Sequence, residues 1–208
     1  IKVESGSAVS STNKDVNIST SDKLTLAGKD AGISAAGKDV NIKGNTEISG
    51  EIAIKATIGN ITLNGGTTIT GTDAAINAGK DITTGVKSSV TIKGENKGIS
   101  SAVTITGDIK AEGGNITIDS SKATGIINGD VTASNGGSVE ISLNGNHSKL
   151  TGGFEIIAGS IKVNLNNGAT WNLTGAEGEG LTINGGATEA AAGVIVFDKD
   201  YASGAATY

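Results

Sequence analysis

A short phrase recurs along the chain, in which two β-branched or leucine residues flank one polar residue. Its copies include Val16-Asn17-Ile18, Val40-Asn41-Ile42, Ile61-Thr62-Leu63, Ile116-Thr117-Ile118 and Leu181-Thr182-Ile183. Well-aligned copies lie 20 to 24 residues apart, as from Val40 to Ile61 and from Ile161 to Leu181. Self-similarity at a nearly fixed period constrains architecture more than any single residue, because each unit must stack on its neighbour. A step of this size predicts one coil of a β-solenoid.

The alternation inside the phrase explains how such coils would hold together. Successive side chains of a strand point to opposite faces, so Val40 and Ile42 point inward and Asn41 points outward. One strand buries too little apolar surface alone, but copies about 4.8 Å apart share an apolar column and a backbone hydrogen-bond ladder. Further short strands are Leu24-Thr25-Leu26, Ile52-Ala53-Ile54, Val90-Thr91-Ile92 and Val103-Thr104-Ile105. Two or three strands per coil predict an all-β fold, a parallel β-helix of about eight or nine coils.

Glycine and the absence of proline fit this prediction. The chain has 33 Gly and no Pro. Glycine suits the coil corners because they need positive φ angles. Proline is unsuited to the inner strands because they must donate backbone N–H groups to the next coil. Gly-Lys-Asp occurs at residues 28–30, 37–39 and 79–81. We interpret these as corners in which Asp caps the turned backbone, rather than as a cation site. Between Leu63 and Ile116 the spacing is irregular and does not fix the coil boundaries.

Charge and composition exclude several function classes. The net charge is −5, and the 16 positive charges are all lysine, which argues against nucleic-acid binding by phosphate neutralisation. Aromatic residues make up 2% of the chain, too few for a stacking platform. Disorder is the main alternative to a solenoid in a chain rich in Gly, Ser, Thr and Asn. The recurrent Val/Ile pairs and a hydrophobic content of 36% favour the solenoid.

The sequence offers no convincing catalytic or metal-binding set. Parallel β-helix lyases and hydrolases cluster several Asp residues, in lyases with Arg or Lys, whereas the acidic residues here are scattered. The closest pairs are Glu177/Glu179 and Asp198/Asp200, which we interpret as solvated turn charges. His147 is the only histidine, and a single His without Cys or clustered carboxylates makes a poor metal site. We therefore expect no enzymatic activity, no cofactor and no metal.

The aromatic residues are concentrated at one end of the chain. All of them follow residue 150: Phe154, Trp171, Phe197, Tyr201 and Tyr208. Larger side chains at one end suggest a thicker core or a cap, which solenoids need to cover a terminal edge. We therefore expect regular coils over residues 1–150 and C-terminal coils with a cap over residues 151–208. The strand Val194-Ile195-Val196-Phe197 is a candidate for the final coil, and the tail from Tyr201 to Tyr208 reads as frayed or as the start of another domain.

Two stretches carry a family resemblance. Asn166-Asn167-Gly168-Ala169-Thr170-Trp171-Asn172-Leu173-Thr174-Gly175 and Leu181-Thr182-Ile183-Asn184-Gly185-Gly186 resemble the end of the passenger domain of Gram-negative autotransporters, of the pertactin and diffuse-adherence adhesin type. The Gly-Lys-Asp-Val-Asn-Ile unit at residues 37–42 is also similar to repeats of filamentous haemagglutinin-type exoproteins. The chain departs from the autotransporter pattern at residues 176–180, where Ala-Glu-Gly-Glu-Gly replaces a turn containing Asp or Ser. The resemblance implies a right-handed parallel β-helix at the bacterial cell surface, with an outer-membrane barrel downstream in the full protein.

The resemblance also implies a function. It suggests a surface adhesin passenger segment whose partners are a host glycan, a matrix protein or like molecules on neighbouring cells, bound through summed weak contacts of outward side chains. A structural stalk that carries a distal binding domain is the alternative, and a β-helix polysaccharide lyase or hydrolase is a more distant one. By family position, the folding nucleus is expected at Trp171, Leu173, Leu181, Ile183 and Phe197. Thr-x-Thr at residues 68–70 and 104–106 leaves ice binding as a remote option.

Overall fold

The computed structural model describes residues 1–186 and 188–197. In this part of the chain the backbone winds through about nine turns of a β-solenoid built from parallel strands. The strands are, in chain order, β1 (Ser7–Ser11), β2 (Val16–Ser19), β3 (Leu24–Ala27), β4 (Ala31–Ala35), β5 (Val40–Lys43), β6 (Thr46–Ala56), β7 (Ile61–Asn64), β8 (Thr67–Ala78), β9 (Ser89–Lys93), β10 (Glu95–Asn96), β11 (Ile99–Ser100), β12 (Val103–Thr106), β13 (Ile109–Glu112), β14 (Asn115–Ser120), β15 (Gly125–Asn128), β16 (Val131–Ser134), β17 (Ser138–Asn144), β18 (Lys149–Ile157), β19 (Ser160–Asn166), β20 (Thr170–Glu177), β21 (Leu181–Asn184) and β22 (Val194–Phe197). A short 3-10 helix covers Glu189–Ala191. The predicted β-solenoid is confirmed.

The recurring phrase forms one face of the solenoid, which we call face 1. It is a parallel sheet in the order β2-β5-β7-β9-β14-β17-β19-β21, with one strand from each coil. Val40 lies opposite Val16 on one side and Ile61 on the other, and Ile161 lies opposite Leu181. The copies therefore stack on one another as the spacing predicts.

A second, larger sheet supplies the other two faces. Its long strands β6, β8 and β18 continue through a corner, so that their first residues lie in face 2 and their last residues in face 3. For example, residues 46–49 of β6 pair with β3, whereas residues 54–56 pair with β4. Face 2 also contains β12, β15, the start of β20, and β22; face 3 also contains β1, β4, β13 and β16. Each regular coil thus has three strand segments.

The core is a set of apolar columns that run along the solenoid axis. In face 1, Ile42 stacks on Leu63, and in face 3 Ile54 stacks on Ile76. All four side chains are at most 1% exposed. Burying one such side chain contributes about 1.5–3 kcal/mol, so stability accumulates coil by coil rather than from one compact centre.

The irregular stretch between Leu63 and Ile116 contains two insertions in one coil. Residues 80–87 form a loop closed by an antiparallel bridge between Lys80 and Lys87, and β10 and β11 form a small antiparallel hairpin. Between the insertions, Val90 lies opposite both Ile61 and Ile116. The phrase at Val90 therefore belongs to face 1, and the insertions lengthen the coil without disturbing the stack.

A column of glycines turns the chain sharply from face 2 to face 3. Its members occupy equivalent positions in successive coils: Gly28, Gly50, Gly71, Gly107, Gly129 and Gly152. A Cβ atom on Gly129 would lie 2.3 Å from the carbonyl oxygen of Gly107, and one on Gly152 would lie 2.0 Å from that of Gly129. Only glycine allows the backbones of adjacent coils to approach this closely.

The glycine column ends where the aromatic residues begin. Leu173 lies opposite Gly152, and Phe197 lies opposite Leu173. A register shift between β18 and β20 follows Gly152, with one extra residue in β20, and this bulge opens the corner around the larger side chains. Strand β22 pairs with β20, so residues 194–197 form a strand of the last described coil. Tyr201 and Tyr208 lie outside the described residues, and the division at residue 150 stays a prediction.

Candidate interaction surface

Face 1 presents its outward side chains in continuous rows. The first row follows the middle residue of each phrase: Asn17, Asn41, Thr62, Thr91, Thr117, Glu140, Lys162 and Thr182. Two pairs in this row make contacts along the axis. The Asn41 Nδ2 donates to Asn17 Oδ1 at 3.1 Å, and Lys162 Nζ lies 2.9 Å from Glu140 Oε1. The row is polar throughout and presents amide, hydroxyl and charged groups at the repeat of the coils.

A second outward row lies beside the first, two residues further along each strand. Near the C-terminal end, Asn184 Nδ2 donates to Asn164 Oδ1 at 2.7 Å, and Asn164 Nδ2 donates to Ser142 Oγ at 3.0 Å. Asn164 Nδ2 also donates to Glu140 Oε1, which joins the two rows. These bonds orient the polar side chains of the two rows in the C-terminal coils.

Glu140 offers a test of these row contacts. The hydrogen bond from Lys162, followed by the one from Asn164, lowers the pKa of the Glu140 carboxyl. Because the folded-state pKa is depressed, the stabilising contribution is complete above the unfolded-state pKa and is lost as the pH falls through the folded-state value. We expect the Glu140 midpoint, followed by NMR of its carboxyl carbon, to rise in Lys162→Met. Lys149→Met, on face 2, should leave it unchanged; a rise there as well would contradict the assignment.

The Gly-Lys-Asp corner at residues 37–39 caps the next coil. Asp39 Oδ1 accepts hydrogen bonds from the backbone N–H of Asn60 at 2.8 Å and from its Nδ2 at 3.2 Å. Asn60 Oδ1 in turn accepts bonds from the backbone N–H and the Oγ of Ser89, both at 2.9 Å. The corner before face 1 therefore carries a ladder of polar side chains, each of which satisfies backbone donors of the following coil. Among the described residues no group of three or more His, Cys, Asp or Glu side chains could hold a metal ion.

Replacing Asn60 by alanine should break this ladder. The variant removes the acceptor for Ser89 and the side-chain donor to Asp39, and we expect a loss of about 1–2 kcal/mol in the free energy of unfolding. Asn64→Ala is the matched control, because the Asn64 side-chain amide makes no hydrogen bond within the described part of the chain. Urea denaturation of both variants measures the difference. Equal midpoints for the two variants would show that the ladder does not stabilise the stack.

The threonine pairs on face 2 form a small array. Thr68 lies opposite Thr104, and Thr70 lies opposite Thr106. The rows change chemistry in the neighbouring coils, where Glu47 and Ser49 precede and Ile126 and Asn128 follow. The array therefore spans two coils, which is short for the extended flat arrays that would bind ice.

The remaining candidates for a catalytic or metal site, the histidine and the pairs of acidic residues, do not form a common site among the described residues. His147 is exposed at a corner, while the neighbouring Ser148 is buried and donates its hydroxyl proton to the carbonyl of Asn144 at 2.6 Å. Glu177 and Glu179 are both exposed near the corner after β20. Asp198 and Asp200 lie outside the described residues.

The five residues expected to nucleate folding fall on two faces. Trp171, Leu173 and Phe197 lie on face 2, where Trp171 is fully buried and Leu173 is 4% exposed. Leu181 and Ile183 lie on face 1, at the edge strand β21. Sequence reasoning missed the partner that orients the indole: Trp171 Nε1 donates to the carbonyl oxygen of Gly152 at 3.0 Å. Their role in folding stays a prediction.

Comparison with known proteins found no relative of this chain: no family model, curated protein or solved structure matches it. No helix among the described residues has the length and apolar character to cross a membrane.

Proposed function

We propose that this chain is a segment of a bacterial surface adhesin that binds through many repeated weak contacts along a stiff rod. The observation that carries the proposal is the set of in-register polar rows on face 1. Each row repeats a similar hydrogen-bonding group at the spacing of the coils, about 4.8 Å. A partner with its own repeated polar groups, either a glycan or a second rod, can therefore form many contacts at once.

Self-association is the form of adhesion that the surface favours. Two copies of face 1 carry the same repeat, so a contact made at one coil can recur at the next. The Asn, Thr and Ser groups supply both donors and acceptors, which makes the face complementary to itself. The resemblance to autotransporter passengers supports the same proposal, including its location at the cell surface.

A bead-clustering assay tests the proposal. Beads coated with the chain should cluster, and clustering should fall sharply in the triple variant Thr62→Lys, Thr91→Lys, Thr117→Lys, because a row of lysines repels its own copy. The matched control puts the same change on face 2, in Thr25→Lys, Thr68→Lys, Thr104→Lys. Equal losses in both variants, or no clustering by the original chain, would contradict adhesion through face 1. The second outcome would favour the stalk.

A further inference from the structure

The loop at residues 80–87, which we call the Ile82 loop, has a defined conformation stabilised by hydrogen bonds within it. Its N–H and C=O groups close a tight turn: Asp81 N–H donates to the Val86 carbonyl at 2.9 Å, and Gly85 N–H donates to the Asp81 carbonyl at 2.7 Å. Asp81 Oδ1 accepts the backbone N–H of Thr83 at 2.7 Å, and this bond lowers the pKa of the Asp81 carboxyl. The loop is therefore held in one shape by its own backbone.

The base of the Ile82 loop is also fixed to the solenoid. The Ser88 side chain is fully buried, and its hydroxyl shares its one proton between the carbonyl oxygens of Gly79 at 2.8 Å and Ala56 at 2.9 Å. Lys80 Nζ donates to the Asn135 carbonyl at 3.5 Å, and Lys87 Nζ donates to the Gly136 carbonyl at 2.5 Å. These contacts tie the loop to its own coil, to the coil before it and to a corner further along the rod.

This fixed loop presents an apolar tip to solvent. Ile82 is 96% exposed and Val86 is 55% exposed. Lys80 and Lys87 flank the two residues, and each ammonium has further donors free to bind another group. An apolar side chain on a preordered support between two cations is suited to insert into a groove that combines apolar surface with negative charge.

A groove of that kind lies on the same chain, at the corner of faces 2 and 3 in the C-terminal coils. It has a volume of about 530 Å³, and its lining includes Ala176, the exposed part of the half-buried Phe154, which packs against the core, and the carboxylates of Asp108, Asp130, Glu155 and Glu177. We call it the acidic groove. Glu155 and Glu177 lie directly opposite one another in adjacent strands, a like-charge placement that is unfavourable unless a cation lies nearby.

The acidic groove keeps its negative charge within the described part of the chain. Lys110 also lines the groove, but its Nζ lies 3.4 Å from the Asp73 carboxylate. Glu155 and Glu177 make no ion pair with any described residue. Since Ile82 is almost completely exposed, the loop does not occupy the groove of its own chain.

We propose that the Ile82 loop of one chain docks into the acidic groove of a second copy, with Ile82 against Phe154 and the flanking lysines near the groove carboxylates. This inference rests on the proposed self-association and gives it a specific contact. The two surfaces differ, so the contact is head-to-tail, and a bound pair still has one free loop and one free groove, to which further copies can add. Assembly through this contact is open-ended.

Analytical ultracentrifugation of the full chain over a concentration series tests the docking. Ile82→Asp should weaken self-association about 10-fold or more, since it places a charge at the apolar anchor. Ile99→Asp is the matched control: Ile99 is also exposed, at 70%, but sits on the β10–β11 hairpin. Circular dichroism checks that both variants keep the solenoid. Equal association by Ile82→Asp and the original chain would overturn the proposal.

A mixing experiment tests the head-to-tail geometry. The double variant Glu155→Lys, Glu177→Lys loses the groove but keeps the loop, whereas Ile82→Asp loses the loop but keeps the groove. At protein concentrations where the original chain assembles, each variant alone should stay monomeric, and a mixture of the two should form a one-to-one dimer that grows no further. Absence of that dimer would overturn the proposal. If bead clustering still depends on face 1 in Ile82→Asp, the broader adhesive function survives the failure of this contact.

Discussion

Replacing Trp171 by alanine should lower the free energy of unfolding by about 4 kcal/mol. The indole is fully buried, it stacks in the inner column of face 2 after Leu150, and its ring lies 6.0 Å from that of Phe154, centroid to centroid. The variant leaves a cavity and removes the N–H donor from the buried Gly152 carbonyl. We expect a lower urea midpoint and less protease-resistant chain; unchanged resistance would contradict the role of Trp171.

Two further variants separate the parts of this effect. Trp171→Phe keeps an aromatic ring but loses the bond to Gly152, and should cost about 1–2 kcal/mol in stability. Ile76→Ala creates a smaller core cavity in the N-terminal half, where Ile76 is also fully buried. If the C-terminal coils nucleate folding, Trp171→Ala slows refolding while Ile76→Ala mainly speeds unfolding. Similar refolding rates for the two alanine variants would argue against nucleation at Trp171.

Replacing Gly107 by alanine should cost about 3 kcal/mol, although it adds a single methyl group. Gly107 has a φ of +112°, and a Cβ atom there would lie 2.6 Å from the carbonyl oxygen of Gly71 and 3.0 Å from the backbone nitrogen of Ala75. Both neighbours are backbone atoms of an adjacent coil, so the coils must separate to admit the methyl group. Urea denaturation should show a lower midpoint.

Gly145→Ala is the matched control for the corner. Gly145 also has a positive φ, +85°, but a Cβ atom there would meet no atom within 4 Å. We therefore expect Gly145→Ala to lower the free energy of unfolding only through the unfavourable backbone conformation, by about 1 kcal/mol. The difference between the two variants measures the close approach of adjacent coils. Equal losses would mean that backbone conformation, and not the distance between coils, selects glycine in this column.

Much of the fold could be predicted because face 1 repeats a simple pattern. The pairs at Val16, Val40 and Ile61 alternate apolar and polar residues at nearly equal steps, and the structure places them opposite one another. The spacing lost this regularity at Val90, since the Ile82 loop and the β10–β11 hairpin add residues on both sides of β9. Insertions at corners change the number of residues between successive strands but leave the pairing of those strands unchanged. The spacing in the sequence alone therefore cannot show that the stack continues.

The contacts of the surface were harder to predict because they join chemically different residues. The ladder from Asp39 through Asn60 to Ser89 uses a carboxylate, an amide and a hydroxyl at equivalent positions of successive coils. Because the residue type changes at each step, no recurring residue in the sequence indicates the ladder. The exposed position of Ile82 was also missed. An isoleucine in a strand-rich sequence is ordinarily assigned to the core, and only the closed turn around it shows that it points into solvent.

The direction of the hydrogen bonds has a mechanical consequence. Bonds between coils run along the rod axis, so a pulling force applied at its two ends would load them one coil at a time rather than all together. A terminal coil would peel away before the next one bears the load. Each step would release about 20 residues, or roughly 70 Å of extended chain. A rod of this kind would lengthen in stages under tension and so dissipate a sudden pull along its length.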